Sequence, residues 1–403
     1  MSSARNYDKT ICKGLYRRIL QDLVVFTSQF DEINDAPDGV YAMVDAFSKY
    51  GVPLAENLQN VVEKKRKREI ATASTFPLKR CDAKFSVPTQ IGRPGCNIFN
   101  LIFDTFASGI WVHSPETANP QALQALQTAS IPQNTYSSRL IRGYTWEDER
   151  VDGTSASGIL YGEAVSVGSL TVKDQALQVA ETVPDYYQTL QSIFGVMGMG
   201  FDSLSTIPPT TQRGLFDSAL PQLDLGVFTV DMKHCSSSQV DFGHIDDNAY
   251  NGVISTTDGI SDRGYWNFTA RILGDIDINL FDTIKLDDKG MEYVVDDTAS
   301  ELMMLPLKYN VDYYMNVEGA HYRHESGGYV IPCTSELPKF TFESGFTRVT
   351  IPGRYMKLNR VDEKEDLCFG VLQSSDALGV NILGGPTFKS AFVIFHPVKK
   401  AID

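Results

Sequence analysis

The sequence lacks several features that would assign a function directly. No apolar run approaches the roughly 20 residues that a membrane-spanning helix needs. It has no G-x-S-x-G turn, no phosphate-binding G-x-x-x-x-G-K-[ST] loop and no H-E-x-x-H pair. No motif therefore supports a serine hydrolase, a P-loop nucleotide-binding protein or a zinc peptidase. Basic residues are also few, since 36 Lys and Arg face 50 Asp and Glu, for a net charge of −14. Nucleic acid is therefore not an expected partner, because its phosphates require a basic face.

Cysteine is scarce as well. Six cysteines in 403 residues are too few for a disulfide scaffold. Cys333 and Cys368 could form one bridge, which would indicate an oxidising compartment, and pairing of Cys81 or Cys96 stays open. The N-terminus has no clear signal peptide, because polar residues at 21–22 interrupt its apolar stretch. Either the protein stays inside the cell or the sequence lacks its natural start.

Residues 1–80 differ in pattern from the rest of the chain. Asp38 to Val62 has helical spacing of apolar residues, which predicts a helix. Five basic residues follow at Lys64–Arg68. They fit a solvated basic face, a proteolytic processing site or a nuclear-import patch. Their position just before the first β-rich segment favours processing.

From Cys81 onward, short β-type runs alternate with Gly, Pro, Asn and Asp, which predicts a mostly β fold. A lobe boundary is expected near residues 245–262. The predicted strands are Ile98–Phe103, Ala164–Leu170, Val227–Met232, Trp266–Leu273, Tyr329–Pro332, Phe340–Phe342, Thr347–Ile351 and Ala391–Phe395. Short helices are expected at Asn119–Ala129 and Val183–Phe194, and tight turns at Gly195, Gly198 and Gly200.

Two Asp-Thr pairs stand between apolar runs. Asp104-Thr105 lies between residues 100–103 and 110–112, and Asp297-Thr298 lies between residues 293–295 and 302–305. Such repetition predicts a duplicated fold that brings two carboxylates together. Two carboxylates sharing one proton can act as general base and general acid around a bound water. A threonine beside each can hydrogen-bond across the junction.

Further motifs occur in the order found in one known family. They are Tyr41–Leu54, Phe103–Thr105 with Ile110–Val112, Gly143–Trp146, Asp152–Gly158, Asp241–Asp246, Gly264–Thr269, Asp297-Thr298 and Ile382–Gly385 with Phe388. Over roughly Tyr41 to Pro397 the chain resembles the pepsin-like aspartic proteases, specifically the fungal penicillopepsin and aspergillopepsin branch.

The resemblance implies a mostly β, bilobal double β-barrel fold with a cleft between the lobes. Its expected divisions are a pro-segment-like region (1–80) that masks the cleft, an N-terminal lobe (81–250) and a C-terminal lobe (251–403). The implied catalytic residues are Asp104 and Asp297, the implied supporting residues are Thr105, Thr298, Trp111 and Ser300, and the implied disulfide is Cys333–Cys368. It also implies a secreted monomer that takes a peptide or small amide-containing substrate, with no metal, cofactor or membrane partner.

The chain departs from the family pattern near the expected site. Phe106 and Ala299 stand where the family has Gly, and Ala107 stands where it has Ser. Arg150 and Val151 align with the Tyr-Gly of the family's flap tip. We expect a phenyl ring beside the catalytic water, and a cation over the carboxylates that lowers their pKa values. Phe106 and Arg150 together speak against ordinary peptide-bond hydrolysis.

Three functions remain open from the sequence. The first is an aspartic endopeptidase using Asp104 and Asp297. The second is a non-proteolytic enzyme of the same fold that cyclises, dehydrates or isomerises a small metabolite, as in fungal secondary metabolism. The third is a catalytically silent binding protein. His321–Glu325 has metal-like spacing, but no second ligand cluster lies nearby and we expect a solvated loop.

Overall fold

The computed structural model describes residues 26–32, 39–71, 84–92, 98–114, 138–149, 155–184, 187, 190, 193–205, 207–234, 238–251, 254–255, 257–258, 264–274, 291–362, 364–396 and 401–402. The helices are α1 (Gly39–Lys49), α2 (Glu56–Ala71), α3 (Leu215–Ala219), α4 (Leu307–Tyr314) and α5 (Gly385–Phe388). The first strands are β1 (Phe26–Glu32), β2 (Phe85–Ile91), β3 (Ile98–Asp104), β4 (Ile110–His113), β5 (Arg139–Glu149), β6 (Ser155–Val167), β7 (Leu170–Thr182), β8 (Gly195–Gly198), β9 (Phe228–Asp231), β10 (Ser238–Phe242), β11 (Thr257–Asp258) and β12 (Asn267–Gly274). The others are β13 (Met291–Asp296), β14 (Met303–Leu305), β15 (His321–Arg323), β16 (Gly328–Pro332), β17 (Phe340–Ser344), β18 (Thr347–Ile351), β19 (Lys357–Asp362), β20 (Leu367–Gly370), β21 (Leu372–Ser374), β22 (Asn381–Leu383), β23 (Val393–His396) and β24 (Ala401–Ile402).

The same strand arrangement occurs twice, which confirms the mostly β, bilobal fold. The N-terminal half has the neighbour order β2-β3-β8-β4-β7, and the C-terminal half has β12-β13-β22-β14-β21. In both series the successive pairs are antiparallel, parallel, antiparallel and parallel. The two Asp-Thr pairs lie at the C-terminal ends of β3 and β13, which are equivalent strands. The duplication therefore places them at equivalent ends of two matching sheets.

One 13-stranded sheet joins the two halves. The C-terminal strand β23 pairs with β9, β9 pairs with β10, and β10 continues through β1 to β2. A buried indole adds a second link, since Nε1 of Trp266 donates to the carbonyl oxygen of Met199 at 3.0 Å. Because the connection is made of backbone ladders, the ends of β3 and β13 are held at a defined separation.

The core between the sheets is rich in phenylalanine. Phe228 stacks on Phe395 with ring centroids 4.6 Å apart, and the edges of Phe103 and Phe216 meet the Phe228 ring. These rings are almost fully buried. Removal of a ring of this size from water contributes about 1.5–3 kcal/mol. The strands β3, β9 and β23 are thus packed tightly behind the first Asp-Thr pair.

The helical prediction over Asp38–Val62 is wrong in one respect, because the chain forms two helices there. Helix α1 ends at Lys49, and α2 begins at Glu56. Gly51 has a φ of +63°, a conformation that suits glycine and ends a helix. Pro53 then disfavours helical backbone in the residue before it. The basic run Lys64–Arg68 lies within α2.

Two other predictions from pattern are wrong. The stretch Ala164–Leu170 is not one strand, since a turn at Gly168 with φ of +57° separates β6 from β7. Gly195 and Gly198 form β8, which lies between β3 and β4 rather than in a turn. A Cβ at Gly198 would overlap the backbone of the loop after Asp104. Asn119–Ala129 and most of Val183–Phe194 lie outside the described residues.

No helix in the described part of the chain is long and apolar enough to cross a membrane.

Candidate active site

The two aspartates lie at the ends of equivalent strands and are buried, with 4% of Asp104 and none of Asp297 exposed. Oδ1 of Asp104 accepts the N–H of Phe106 at 2.9 Å and of the next residue at 3.2 Å. Oδ1 of Asp297 accepts the N–H of Ala299 at 3.1 Å and of the next residue at 3.2 Å. Hydrogen bonds from backbone amides favour the ionised carboxylate. Each carboxylate is therefore held by an equivalent pair of backbone N–H groups from the loop that follows it.

The two threonines bind each other's loop. Thr105 N–H donates to Oγ1 of Thr298 at 3.0 Å, and Thr298 N–H donates to Oγ1 of Thr105 at 3.1 Å. Each hydroxyl in turn donates across the junction, Thr105 to the carbonyl oxygen of Asp296 and Thr298 to that of Phe103. All four groups are buried, where a hydrogen bond lost from one partner costs about 1–3 kcal/mol. This network fixes the two loops, and with them the two carboxylates, relative to each other.

Phe106 is accommodated beside the site. Its N–H keeps the bond to Asp104, and among the described non-glycine residues a positive φ occurs at Asp366 and not at Phe106. The ring stacks on Tyr265 with centroids 5.6 Å apart and contacts Tyr50 at 4.8 Å. A side chain at this position therefore requires no positive φ.

Lys49, the last residue of α1, lies between the two carboxylates. Its Nζ is 3.1 Å from Oδ2 of Asp104 and 2.8 and 2.9 Å from the two oxygens of Asp297. Sequence reasoning missed this residue. The available signal was a cation at the end of a helix in a segment expected to mask the cleft, where the helix dipole also favours positive charge.

Burial and charge act against each other at this site. Burial lowers the pKa of Lys49, but attraction from Asp104 and Asp297 outweighs it and raises that pKa above its ordinary value. The pKa of Asp297 is raised by burial and by repulsion from Asp104, against the opposing attraction of Lys49. A buried charge without its partner is strongly destabilising. Lys49 is thus the shared counter-ion of the carboxylate pair.

A second lysine, Lys84, hydrogen-bonds both to α1 and to the loop after Asp297. Lys84 Nζ donates to Oδ2 of Asp45 in α1 at 3.0 Å and to the carbonyl oxygen of Ala299 at 3.1 Å. Glu301 Oε1 lies 3.9 Å away, and all four residues are buried. Helix α1 therefore meets the candidate site through two ionic contacts, one at its end and one a turn earlier.

Of the other expected supporting residues, Ser300 contacts the site and Trp111 lies in a separate apolar cluster. Trp111 in β4 packs on Trp146 and Tyr187, with centroids 6.2 and 5.0 Å apart, and belongs to a separate apolar cluster. Ser300 binds Asp297 through its N–H, while its Oγ donates to the carbonyl oxygen of Leu302.

The disulfide implied by the resemblance is present, since Cys333 is bonded to Cys368. The flap-tip residues Arg150 and Val151 lie outside the described residues.

The metal-like motif does not assemble a site. His321 and Tyr322 are exposed on β15, and Arg323 pairs with Asp362 at 3.0 Å. In the described ranges no group of three or more His, Cys, Asp or Glu side chains is placed to hold a metal ion.

A duplicated β fold with two carboxylates joined by paired threonines defines a pepsin-like protein, and comparison with known proteins agrees. Residues 84–403 match the family described as eukaryotic aspartyl protease, so the chain belongs to that family. It is similar to endothiapepsin of Cryphonectria parasitica, with 35% identity over 363 residues that cover 89% of this chain and 84% of that protein. Podosporapepsin of Podospora anserina is 35% identical over 360 residues (87% and 82%), and penicillopepsin-2 of Penicillium janthinellum is 31% identical over 359 residues (89% and 84%). These fungal homologues are aspartic endopeptidases.

Proposed function

We propose that the protein is the inactive precursor of an aspartic endopeptidase whose working groups are Asp104 and Asp297. The observation that carries this is the position of Lys49, whose ammonium group contacts both carboxylates at 2.8–3.1 Å. A substrate and its water need that same space. While Lys49 occupies it, neither carboxylate is available as a base.

The chemistry follows once Lys49 leaves. Two buried carboxylates of like charge cannot both stay ionised, so one takes up a proton and the other remains a base. The ionised aspartate removes a proton from water as the oxygen attacks the peptide carbonyl, and the protonated aspartate donates to the carbonyl oxygen. The threonine network and the amides of Phe106 and Ala299 keep both carboxyl groups in place during this exchange.

Several observations support the N-terminal region as a pro-segment. The family match begins at residue 84, whereas Lys49 lies well before it. The match with endothiapepsin covers 89% of this chain, more than the part from residue 84 onward, so the similarity also includes part of the N-terminal region. The basic run Lys64–Arg68 lies between the two, and cleavage there would separate α1 from the family-matched chain. We keep the divisions 1–80, 81–250 and 251–403 as part of the proposal.

A second candidate is a non-proteolytic enzyme acting on a small amide. It is favoured by the position of Phe106, whose ring centroid lies 5.8 Å from Lys49 Nζ and so beside the carboxylates. This ring narrows the space that would be left for a peptide backbone. In that case the same two aspartates would move protons on a compact substrate.

The test is proteolysis of denatured globin between about pH 3 and pH 7, the range in which carboxyl groups titrate. The protein is assayed intact and after removal of the N-terminal region by limited proteolysis. We expect cleavage after removal, inhibition by a pepstatin-type peptide, and loss of at least 100-fold in Asp104→Asn and Asp297→Asn. The exposed Asp312→Asn variant is the matched control and should keep full activity.

Two outcomes would reject the proposal. Globin cleavage that survives in both aspartate variants would exclude the carboxylate pair. Absence of cleavage at every pH after removal would favour the second candidate, provided that the two variants abolish turnover of a small amide and retain their fold.

A further inference from the structure

A buried lysine, Lys84, binds α1 one turn before Lys49. Its Nζ is 3.0 Å from Oδ2 of Asp45. Asp45 and Lys49 stand four positions apart in α1, so they share one face of the helix and lie about 6 Å apart along its axis. Helix α1 thus places a cation against the two aspartates and, one turn earlier, an anion against Lys84.

Lys84 belongs to the part of the chain that remains when the N-terminal region is removed. The family match begins at this residue, and residues 86–90 pair with β3, the strand that ends at Asp104. Lys84 Nζ also donates to the carbonyl oxygen of Ala299 at 3.1 Å, in the loop after Asp297. The ladder with β3 and the bond to Ala299 therefore hold Lys84 beside the carboxylates without help from α1.

Loss of α1 removes the carboxylate that is hydrogen-bonded to Lys84. Lys84 and Asp45 are each 5% exposed, and separation of a buried ion pair is strongly unfavourable. Glu301 remains, but its Oε1 is 3.9 Å from Lys84 Nζ, which is beyond hydrogen-bond distance. Lys49 and Asp297 are also within electrostatic range of Lys84, and of these Lys49 leaves with α1. The position vacated by Asp45 therefore suits another carboxylate.

We propose that Lys84 determines specificity by binding an acidic side chain of the substrate in the position that Asp45 holds in this structure. The inference rests on the proposed peptidase function, in which a substrate replaces α1 over the carboxylates. An extended peptide rises about 3.3 Å per residue, so about 6 Å corresponds to about two residues. The Asp or Glu of the substrate should therefore lie about two residues from the peptide bond that is cleaved.

Peptides that differ at one position test this. That position carries Asp, Asn or Lys and is moved one residue at a time along both sides of the cleaved bond. The protein is used after removal of the N-terminal region by limited proteolysis, near pH 5 or so, where the side chain of a free Asp is mostly ionised. At one position, about two residues from the cleaved bond, we expect kcat/KM for Asp to exceed that for Asn at least 10-fold, with Lys lower still. Equal values for the three peptides at every position would overturn the proposal.

Variants assign the preference to Lys84. In Lys84→Met the ratio of Asp to Asn peptide should fall to about one, and Lys84→Arg should restore part of it. Lys364→Met removes the same charge from an exposed site and should keep the full ratio. A preference that persists in Lys84→Met would show that another group binds the carboxylate. If Lys84→Met does not fold, Glu301→Gln decides, because loss of the competing carboxylate should raise the ratio and an unchanged ratio would contradict the proposal.

Binding without turnover separates this inference from the proposed function. The same peptides are titrated by fluorescence anisotropy into the Asp104→Asn variant after removal of its N-terminal region. At least 10-fold tighter binding of the Asp peptide, with no cleavage by the unchanged protein, would reject the peptidase function and support the Lys84 site. Cleavage of all three peptides by the unchanged protein, with equal binding to the variant, would reject the Lys84 site and leave the peptidase function standing.

Discussion

Single residues determine the charge and the space around the carboxylate pair. Lys49 is the shared counter-ion of two aspartates that the fold brings together. The Phe106 ring stacks on Tyr265 and makes a tilted contact with Tyr50. The backbone amide of Phe106 performs the role that any non-proline residue could perform at that place. The side chain therefore changes the space around the carboxylates more than their hydrogen bonds.

Replacement of Lys49 should destabilise the folded protein, because two buried carboxylates would lose their counter-ion. We expect Lys49→Met to lower the free energy of unfolding by roughly 3–5 kcal/mol near pH 7. The pKa of Asp297 is already raised by burial and by Asp104, and loss of Lys49 raises it further. Proton uptake relieves the repulsion, so the deficit should shrink towards pH 4 or so. Urea unfolding at the two pH values measures this.

The exposed Lys364→Met is the matched control for that variant and should unfold like the unchanged protein at both pH values. A Lys49→Met variant as stable as the unchanged protein near pH 7 would contradict the counter-ion role.

At the scale of elements, the contact between α3 and the loop that carries Asp202 has its own pH response. Asp217 in α3 is half-buried and close to Asp202, whose Oδ1 accepts the N–H of Gly214 at 2.6 Å. Burial, then repulsion from and hydrogen bonding with Asp202, raises the pKa of Asp217 from 3.8 to about 6. The folded protein thus binds this proton more tightly than the unfolded chain does.

The sign of the effect follows from that difference. Stability contributed by Asp217 is fully present below pH 3.8 and is lost as the pH rises to about 6. We expect Asp217→Asn to raise the midpoint of thermal unfolding above pH 6 and to change it little below pH 3.8. The exposed Asp224→Asn serves as control. A constant difference between Asp217→Asn and the unchanged protein across this range would show that the carboxyl pair does not titrate as described.

At the scale of the whole molecule, the described parts of the N-terminal region, residues 26–32 and 39–71, are part of the folded body. Eight residues of α1 are buried, and β1 pairs with β10 and β2 inside the large sheet. Through α1 the region contacts both carboxylates, and through β1 it joins the large sheet. Its removal exposes apolar surface and leaves the carboxylates without Lys49.

A chain of residues 84–403 alone should therefore unfold at a temperature several degrees lower than the full chain at neutral pH. Thermal unfolding followed by circular dichroism measures the difference. A synthetic peptide of residues 39–71 should restore part of it, and the same peptide with Lys49→Met should restore less. Equal midpoints for the truncated and full chains would show that α1 and β1 contribute no stability.

Much of the architecture could be predicted because it depends on local pattern. The runs that flank Asp104 and Asp297 are strands in the expected places, and the disulfide between Cys333 and Cys368 follows from the family resemblance. Errors occurred where one backbone angle decides the outcome. Gly168 turns the chain between two apolar runs of the same character, and Gly51 with Pro53 ends a helix that apolar spacing alone would continue.

The sequence by itself determined the duplicated β fold, the two Asp-Thr pairs and the family, because these depend on residue order and the apolar pattern of short segments. The tertiary structure alone decided that Lys49 lies between Asp104 and Asp297 and that the Phe106 ring stacks on Tyr265. Each of these joins segments far apart in the chain. Their meeting depends on how distant strands and helices pack, and side-chain direction at the contact is set by that packing and not by local sequence.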